Sequence, residues 1–211
     1  MSSTPPNTRT VKIGQDERGG WSSDRPRPGG ARPANIATRC RVLAPTDRLR
    51  YSPGSLVVIV SPSPRLRDEF VERLIEDRSA LLSVAKVRKL IEGRVPDAEL
   101  DERAGALLTA TVAKRLASSD TVVIPVATLD AAEREPFVRA AAMAKRPRHI
   151  ILVEPPKDEV PEEDRAALNE LRRGLEAGDL GEEGFQTALR LGGGSVRELK
   201  RILFRPPPKD D

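Results

Sequence analysis

From residue 55 onward, apolar and polar positions alternate between two rhythms. Leu56–Val60 (LVVIV) is an unbroken, mostly β-branched run, the pattern of a strand buried on both faces. Phe70, Val71, Leu74 and Ile75 then recur at helical spacing and predict a helix with one apolar face. Ala80–Val84 is a second apolar run. Val87, Leu90 and Ile91 predict a short helix stopping near Gly93. Leu100, Ala104, Leu107, Leu108, Val112 and Leu116 follow a period of about 3.6 residues and predict a longer helix over 97–118. Thr121–Ala127 (TVVIPVA) reads as the next strand. Pro125 removes a ladder hydrogen bond, so it is expected at the strand's C-terminal end or at a bulge.

Asp130 predicts a helix cap, with Glu133 at capping-box spacing. His149–Val153 (HIILV) reads as a fourth strand, ended by Pro155-Pro156. Pro161-Glu162-Glu163 suits a first helical turn, and that helix is expected to run to about Ala177, before Gly178. Residues 186–191 (QTALRL) alternate and predict an edge strand. Ser195 and Glu198 signal a last helix bearing Val196, Leu199, Ile202 and Leu203. Strands alternating with helices predict a three-layer α/β fold: a parallel sheet of about five strands with helices on both faces.

The flanks differ in kind. Residues 1–35 are rich in Pro, Gly, Ser, Thr and Arg, with RPRPGGARP at 25–33 the densest stretch, and read as a disordered basic arm. Residues 36–54 form a transitional segment whose Ile36, Val42, Leu43, Leu49 and Tyr51 are expected to dock on the domain. The domain itself is expected over 55–204. The tail 205–211 (RPPPKDD) cannot be helical through its prolines.

Composition narrows the class. Only 3% of the 211 residues are aromatic, so the core must rest on Leu, Val, Ile and Ala. No apolar run is long enough for a membrane span, and the opening MSSTPPNTRT lacks the apolar core of a secretory signal. One Cys and one His exclude an internal disulfide and cysteine-rich or multi-histidine metal sites. A reducing, cytoplasmic setting is the default expectation. The net charge of +4 is concentrated at the front: residues 1–50 hold nine Arg and one Lys against four acids, which leaves the rest net acidic. That imbalance weakens nucleic-acid binding by the domain itself.

In an α/β domain the first strand-to-helix turn is the usual phosphate site. Here it reads Ser61-Pro62-Ser63-Pro64-Arg65-Leu66-Arg67-Asp68. A phosphate loop needs glycines that let backbone N–H groups wrap the anion, a lysine for the outer phosphates and a hydroxyl for magnesium. In that register Ser61 and Leu66 stand for the glycines, Arg67 for the lysine and Asp68 for the hydroxyl residue. Pro64 offers no N–H to a cradle, and Leu66 lacks glycine's tolerance of positive φ. Asp68 and Glu69 would repel a triphosphate.

The run SLVVIVSPSPRLRDEF, together with LLSVAKVRKLI at 81–91, DTVVIPVATLDAAERE at 120–135 and RHIILVEPP at 148–156, resembles P-loop kinases related to bacterial polynucleotide kinase, the zeta-toxin-like and AAA-type small-kinase group. The resemblance spans roughly residues 52–191 and lies in spacing, since the motif residues are replaced. It implies a P-loop kinase fold, ATP with magnesium as ligand and a hydroxyl acceptor. The family's general base corresponds to Ala85, its D-A-T-N acid to Pro125 and its Asn to Thr128. Arg88 and Arg134 match family arginines as anion contacts, although both read first as solvated helix residues and only second as anion contacts. Only Lys157-Asp158-Glu159 stand where the family carries its arginine lid.

These losses point to a degenerate Walker A, no catalytic residues, no cofactor and a pseudokinase acting as a binding or scaffold subunit with a protein partner. Three alternatives stay open. One is an unrelated α/β protein. Another is an ATP-dependent kinase for a nucleic-acid end or small hydroxyl substrate, with Arg67 replacing lysine. The third is non-specific nucleic-acid association through the arm. In the arm, Trp21, Arg25 and Arg27 are the candidate contacts, Trp21 as an anchor against a protein partner. Cys40, beside Arg39 and Arg41, would have a lowered thiol pKa if exposed. His149 reads as structural, and Gly192-Gly193-Gly194 as a turn before a capped helix.

Overall fold

A computed structural model describes residues 35–205. The arm up to Ala34, with Trp21, Arg25 and Arg27, and the tail beyond Arg205 lie outside the described residues. The elements in chain order are β1 (Arg41–Leu43), β2 (Arg48–Tyr51), β3 (Leu56–Val60), α1 (Pro64–Leu74), α2 (Val84–Ile91), α3 (Leu100–Ala117), β4 (Val122–Pro125), α4 (Ala131–Met143), β5 (Arg148–Glu154), α5 (Arg165–Ala177), β6 (Thr187–Gly192), α6 (Gly194–Glu198) and β7 (Arg201–Phe204). Five strands form one parallel sheet in the order β1-β6-β5-β3-β4, and β2 and β7 form a separate parallel pair. This is the three-layer α/β architecture that the hydrophobic pattern and the kinase resemblance both imply.

The period-two geometry of strands sorts the core into two layers. Leu56, Val58 and Val60 of β3, with Ile150 and Leu152 of β5, face α3, α4 and α5. Val57 and Ile59, with Ile151 and Val153, face the other way, toward α1, α6 and the β2–β7 pair. β3 and β5 are buried along their whole length, which is why each reads as a continuous apolar run. Burying one such aliphatic side chain contributes on the order of 1.5–3 kcal/mol.

Several expectations change. The run 80–84 is not a strand: Leu81 makes one isolated bridge to Val123, because Ser83 accepts from Lys86 N and starts α2 two residues later. β6 is not an edge strand, since β1 pairs along its outer side and becomes the edge. The last helix ends at Glu198. Ser195 does not cap it; its Oγ accepts from Gly192 N and donates to Gly192 O, while Ile202 and Leu203 enter β7 opposite β2. Asp130 caps α4 by accepting from Ala132 N, but Glu133 does not complete the box. Its carboxylate instead accepts from Ala127 N and Thr128 N. Leu90 and Leu107 leave their predicted stripes and are exposed. Pro125 is the last residue of β4, opposite Ile59, as the ladder argument requires.

Candidate functional site at the carboxyl edge of the sheet

The carboxyl ends of β3, β4, β5 and β6 converge on one edge, the place where open α/β sheets bind ligands. The turn after β3 is held by its own serines. Ser61 Oγ accepts from Ser63 N at 3.1 Å, and Ser63, the N-cap of α1, accepts from Leu66 N at 3.3 Å. The Ser63 carbonyl accepts from Arg67 N at 3.0 Å. Backbone donors that a phosphate cradle would aim outward are thus used inside the turn. Pro64 opens α1 and is exposed; Pro62 is the buried proline of the pair. Leu66 packs against the apolar layer beneath.

Arg67 does not project into open space. Its guanidinium donates to the Val126 carbonyl at 2.6 Å and to Asp68 at 2.9 Å, and the side chain is only 12% exposed. It closes the gap between the start of α1 and the end of β4. Ala85, at the start of α2, presents only a methyl group, and Thr128 donates through its hydroxyl to Glu133.

At the end of β5, Glu154 is buried and bonded by two arginines. Arg172 reaches it at 2.7 and 3.2 Å, and Arg190 at 2.9 and 3.1 Å. Burial pushes this carboxyl up, but the arginine hydrogen bonds and charges outweigh it and hold it below its ordinary value. Arg190 also pairs with Glu176 at 2.6 Å. Sequence reasoning missed this cluster. Its one visible signal is a charged residue, Glu154, ending a buried strand just before Pro155-Pro156.

Beside it, a cavity of about 740 Å³ opens between α1 and the Gly193-Gly194 turn. Gly193 has φ +56°, where a side chain would be strained. Two of the arginines lining the cavity are already engaged: Arg65 with Glu69 and Glu159, and Arg73 with the carbonyls of Val196 and Leu199.

The remaining candidates lie elsewhere. Arg88 is exposed on α2 and pairs with Asp101 at 3.0 Å. Arg134 is not solvated: it is 3% exposed, bound to both Glu183 oxygens at 2.5 and 2.7 Å and to the Leu129 carbonyl at 2.8 Å. The structure therefore brings together Ser61, Pro64, Leu66, Arg67 and Asp68, but not Arg88 or Arg134. The Cys40 thiol is pushed up, by burial and by Glu183, opposite to the lowering expected for an exposed thiol. His149 is buried, stacks on Tyr51 with ring centroids 4.3 Å apart and bonds through Nδ1 to Thr187 Oγ1 at 2.8 Å. Among the described residues no helix is long and apolar enough to cross a membrane.

No family model and no curated protein matches this sequence. Among solved structures the chain is similar to a candidate kinase from Chloroflexus aurantiacus, at 17% identity over 66% of this chain and 86% of that one, with a TM-score of 0.42. It is also similar to the tunicamycin resistance protein of Deinococcus radiodurans, at 17% identity over 68% and 91% of the two chains, with a TM-score of 0.37. At this level of likeness no activity transfers.

Proposed function

We propose that this protein is a non-catalytic P-loop kinase-like domain that works as a binding or scaffold subunit. One observation carries the reading. Arg67, the residue in the lysine position, is already committed to the Val126 carbonyl and to Asp68. Catalysis of phosphoryl transfer rests on positioning and charge neutralisation, and a guanidinium held this way supplies neither. The residues present do not fit ATP with magnesium: Asp68 offers no hydroxyl, and the turn's N–H groups of Ser63, Leu66 and Arg67 are taken.

Titration calorimetry with ATP and magnesium tests this directly. No saturable binding in the micromolar range is expected, and micromolar affinity overturns the reading. The variant Leu66→Gly/Arg67→Lys/Asp68→Ser sharpens the test. Phosphoryl transfer should stay absent, because the base position at Ala85 is a separate defect.

A further inference from the structure

The β2–β7 pair is separate from the main sheet and has two unlike sides. Inward, Leu49, Tyr51 and Ile202 are buried, and Phe204 packs against the same apolar layer. A strand turns alternate residues to opposite faces, so positions 48, 50, 201 and 203 point outward. Arg205 continues the alternation past β7, its N–H donating to the Tyr51 carbonyl at 3.1 Å. Of these five outward positions four are arginines, and Arg48, Arg50, Arg201 and Arg205 are all exposed. Leu203, the fifth, is half-buried.

A second observation concerns register. Arg48 and Arg201 stand abreast in the ladder. Neighbouring strands lie about 4.8 Å apart, and like charges side by side at that spacing are disfavoured. Their carboxylate neighbours relieve this only weakly. Asp47 is 3.7 Å from Arg48 and Glu76 is 3.8 Å from Arg201, beyond hydrogen-bond reach, and all four side chains are more than half exposed. An anion bridging the two guanidinium groups turns the repulsion into attraction. The two strands come from opposite ends of the domain, so the fold itself gathers the arginines, and a net charge summed over the domain conceals the cluster.

We infer that the outer face of the β2–β7 ribbon binds the phosphate backbone of a nucleic-acid duplex, without regard to sequence. Cations about 7 Å apart along a strand and about 5 Å across it match a polyanion with closely repeated charges. The guanidinium fork is the side-chain group best shaped for phosphate oxygens. This face exposes no large apolar side chain, which a membrane would take as an insertion point and a protein partner as an anchor. Its aromatic rings, Tyr51 and Phe204, stack on each other on the inner side with centroids 6.3 Å apart and are not offered to unpaired bases, which favours a duplex over a single strand. Nothing in this face depends on whether Arg67 could serve phosphoryl transfer.

The test is fluorescence anisotropy of the full chain with fluorescein-labelled duplexes of about 20 base pairs, DNA and RNA in turn, over a range of salt. Saturable binding of at least one duplex, weakening as salt rises, is expected. Arg48→Gln/Arg50→Gln/Arg201→Gln/Arg205→Gln should weaken it at least about tenfold and reduce the slope of log K against log salt by about 2–4. Lys89→Gln/Arg94→Gln/Arg103→Gln/Lys114→Gln, the same charge change on and beside α2 and α3, should alter it less than about threefold. If circular dichroism shows the ribbon variant unfolded, Arg48→Gln/Arg201→Gln takes its place, with a loss of at least about threefold. Arg25, Arg27 and Arg32, outside the described residues, bring basic groups of their own. The ribbon losses should persist in an Arg25→Gln/Arg27→Gln/Arg32→Gln background. No binding by the natural protein, equal losses from the two quadruple variants, or losses confined to the 25–32 variant would overturn the inference. Ribbon-dependent binding at least as tight to phosphatidylcholine–phosphatidylserine vesicles, or to polyglutamate, would assign the face to a membrane or an acidic protein and overturn it as well.

Discussion

Arg67 and Val126 are joined across the carboxyl edge of the sheet, the guanidinium of one donating to the carbonyl of the other at 2.6 Å. The contact ties the first turn of α1 to the end of β4. It gives the position a structural task.

Arg67→Met should therefore lower stability by about 1–2 kcal/mol, since a part-buried carbonyl loses a charged donor. Arg67→Lys should recover only part of this, because a single ammonium cannot hold both Val126 and Asp68 as the planar fork does. Urea denaturation reads both. An unchanged midpoint for Arg67→Met would mean that the contact carries no stability.

Arg134 is 3% exposed and matched by Glu183, whose side chain is 26% exposed. Removing the carboxylate leaves a buried guanidinium without its counter-charge. Glu183→Ala is expected to cost about 3 kcal/mol, more than the double change Arg134→Met/Glu183→Leu. Equal losses for the two proteins would contradict the ion-pair account.

Burial pushes His149 down to about 4 from an ordinary value of 6.5. The folded state holds the neutral ring, whereas the unfolded chain takes up a proton as pH falls below about 6.5. Stability is then full above the unfolded value and declines by about 3 kcal/mol as pH falls from 6.5 to 4. Glu154 also loses stabilisation in acid, but below its ordinary value of 4.5, so the upper window belongs to His149. Denaturant midpoints at pH 7 and pH 5 should differ in the natural protein and converge in His149→Gln. A pH-independent midpoint in the natural protein would refute the assignment.

A Cβ at Gly181 would lie 2.1 Å from the Thr38 carbonyl oxygen and 3.0 Å from Cys40 N, both backbone atoms that cannot step aside cheaply. Gly181→Ala should displace the segment leading into β1 and cost about 2–3 kcal/mol. Gly105 in α3 has open space around its missing Cβ, so Gly105→Ala should stabilise by about 0.5–1 kcal/mol. Thermal melts that move both variants the same way would show that the crowding at Gly181 is absent.

The central strands and the long helices were legible because burial on one or both faces writes itself into local periodicity. β2 and β7 were harder. RLRY at 48–51 does alternate, with Leu49 and Tyr51 buried and both arginines exposed, but four residues are too few to outweigh the charge. For 201–204 the capping-box spelling of Ser195 and Glu198 suggested more helix. Pairing with β2, far back in the chain, decides otherwise, and no local pattern records it. At the turn after β3 the residue identities could be read directly. The destination of the Arg67 side chain could not, because Val126 is 59 residues away. Arg134 shows the same limit, its partner Glu183 lying 49 residues on.

The parallel pairs β1–β6 and β2–β7 each join strands roughly 150 residues apart. During synthesis, at about 5–20 residues per second, the early strands would leave the ribosome roughly 10–30 s before their partners exist. The β5–β3–β4 side of the sheet can assemble in that interval, while β1 and β2 wait with unmatched backbone donors and acceptors. Folding of this chain therefore closes last at β1 and at the β2–β7 pair, and the nascent protein depends on whatever shields those early strands until β6 and β7 have been made.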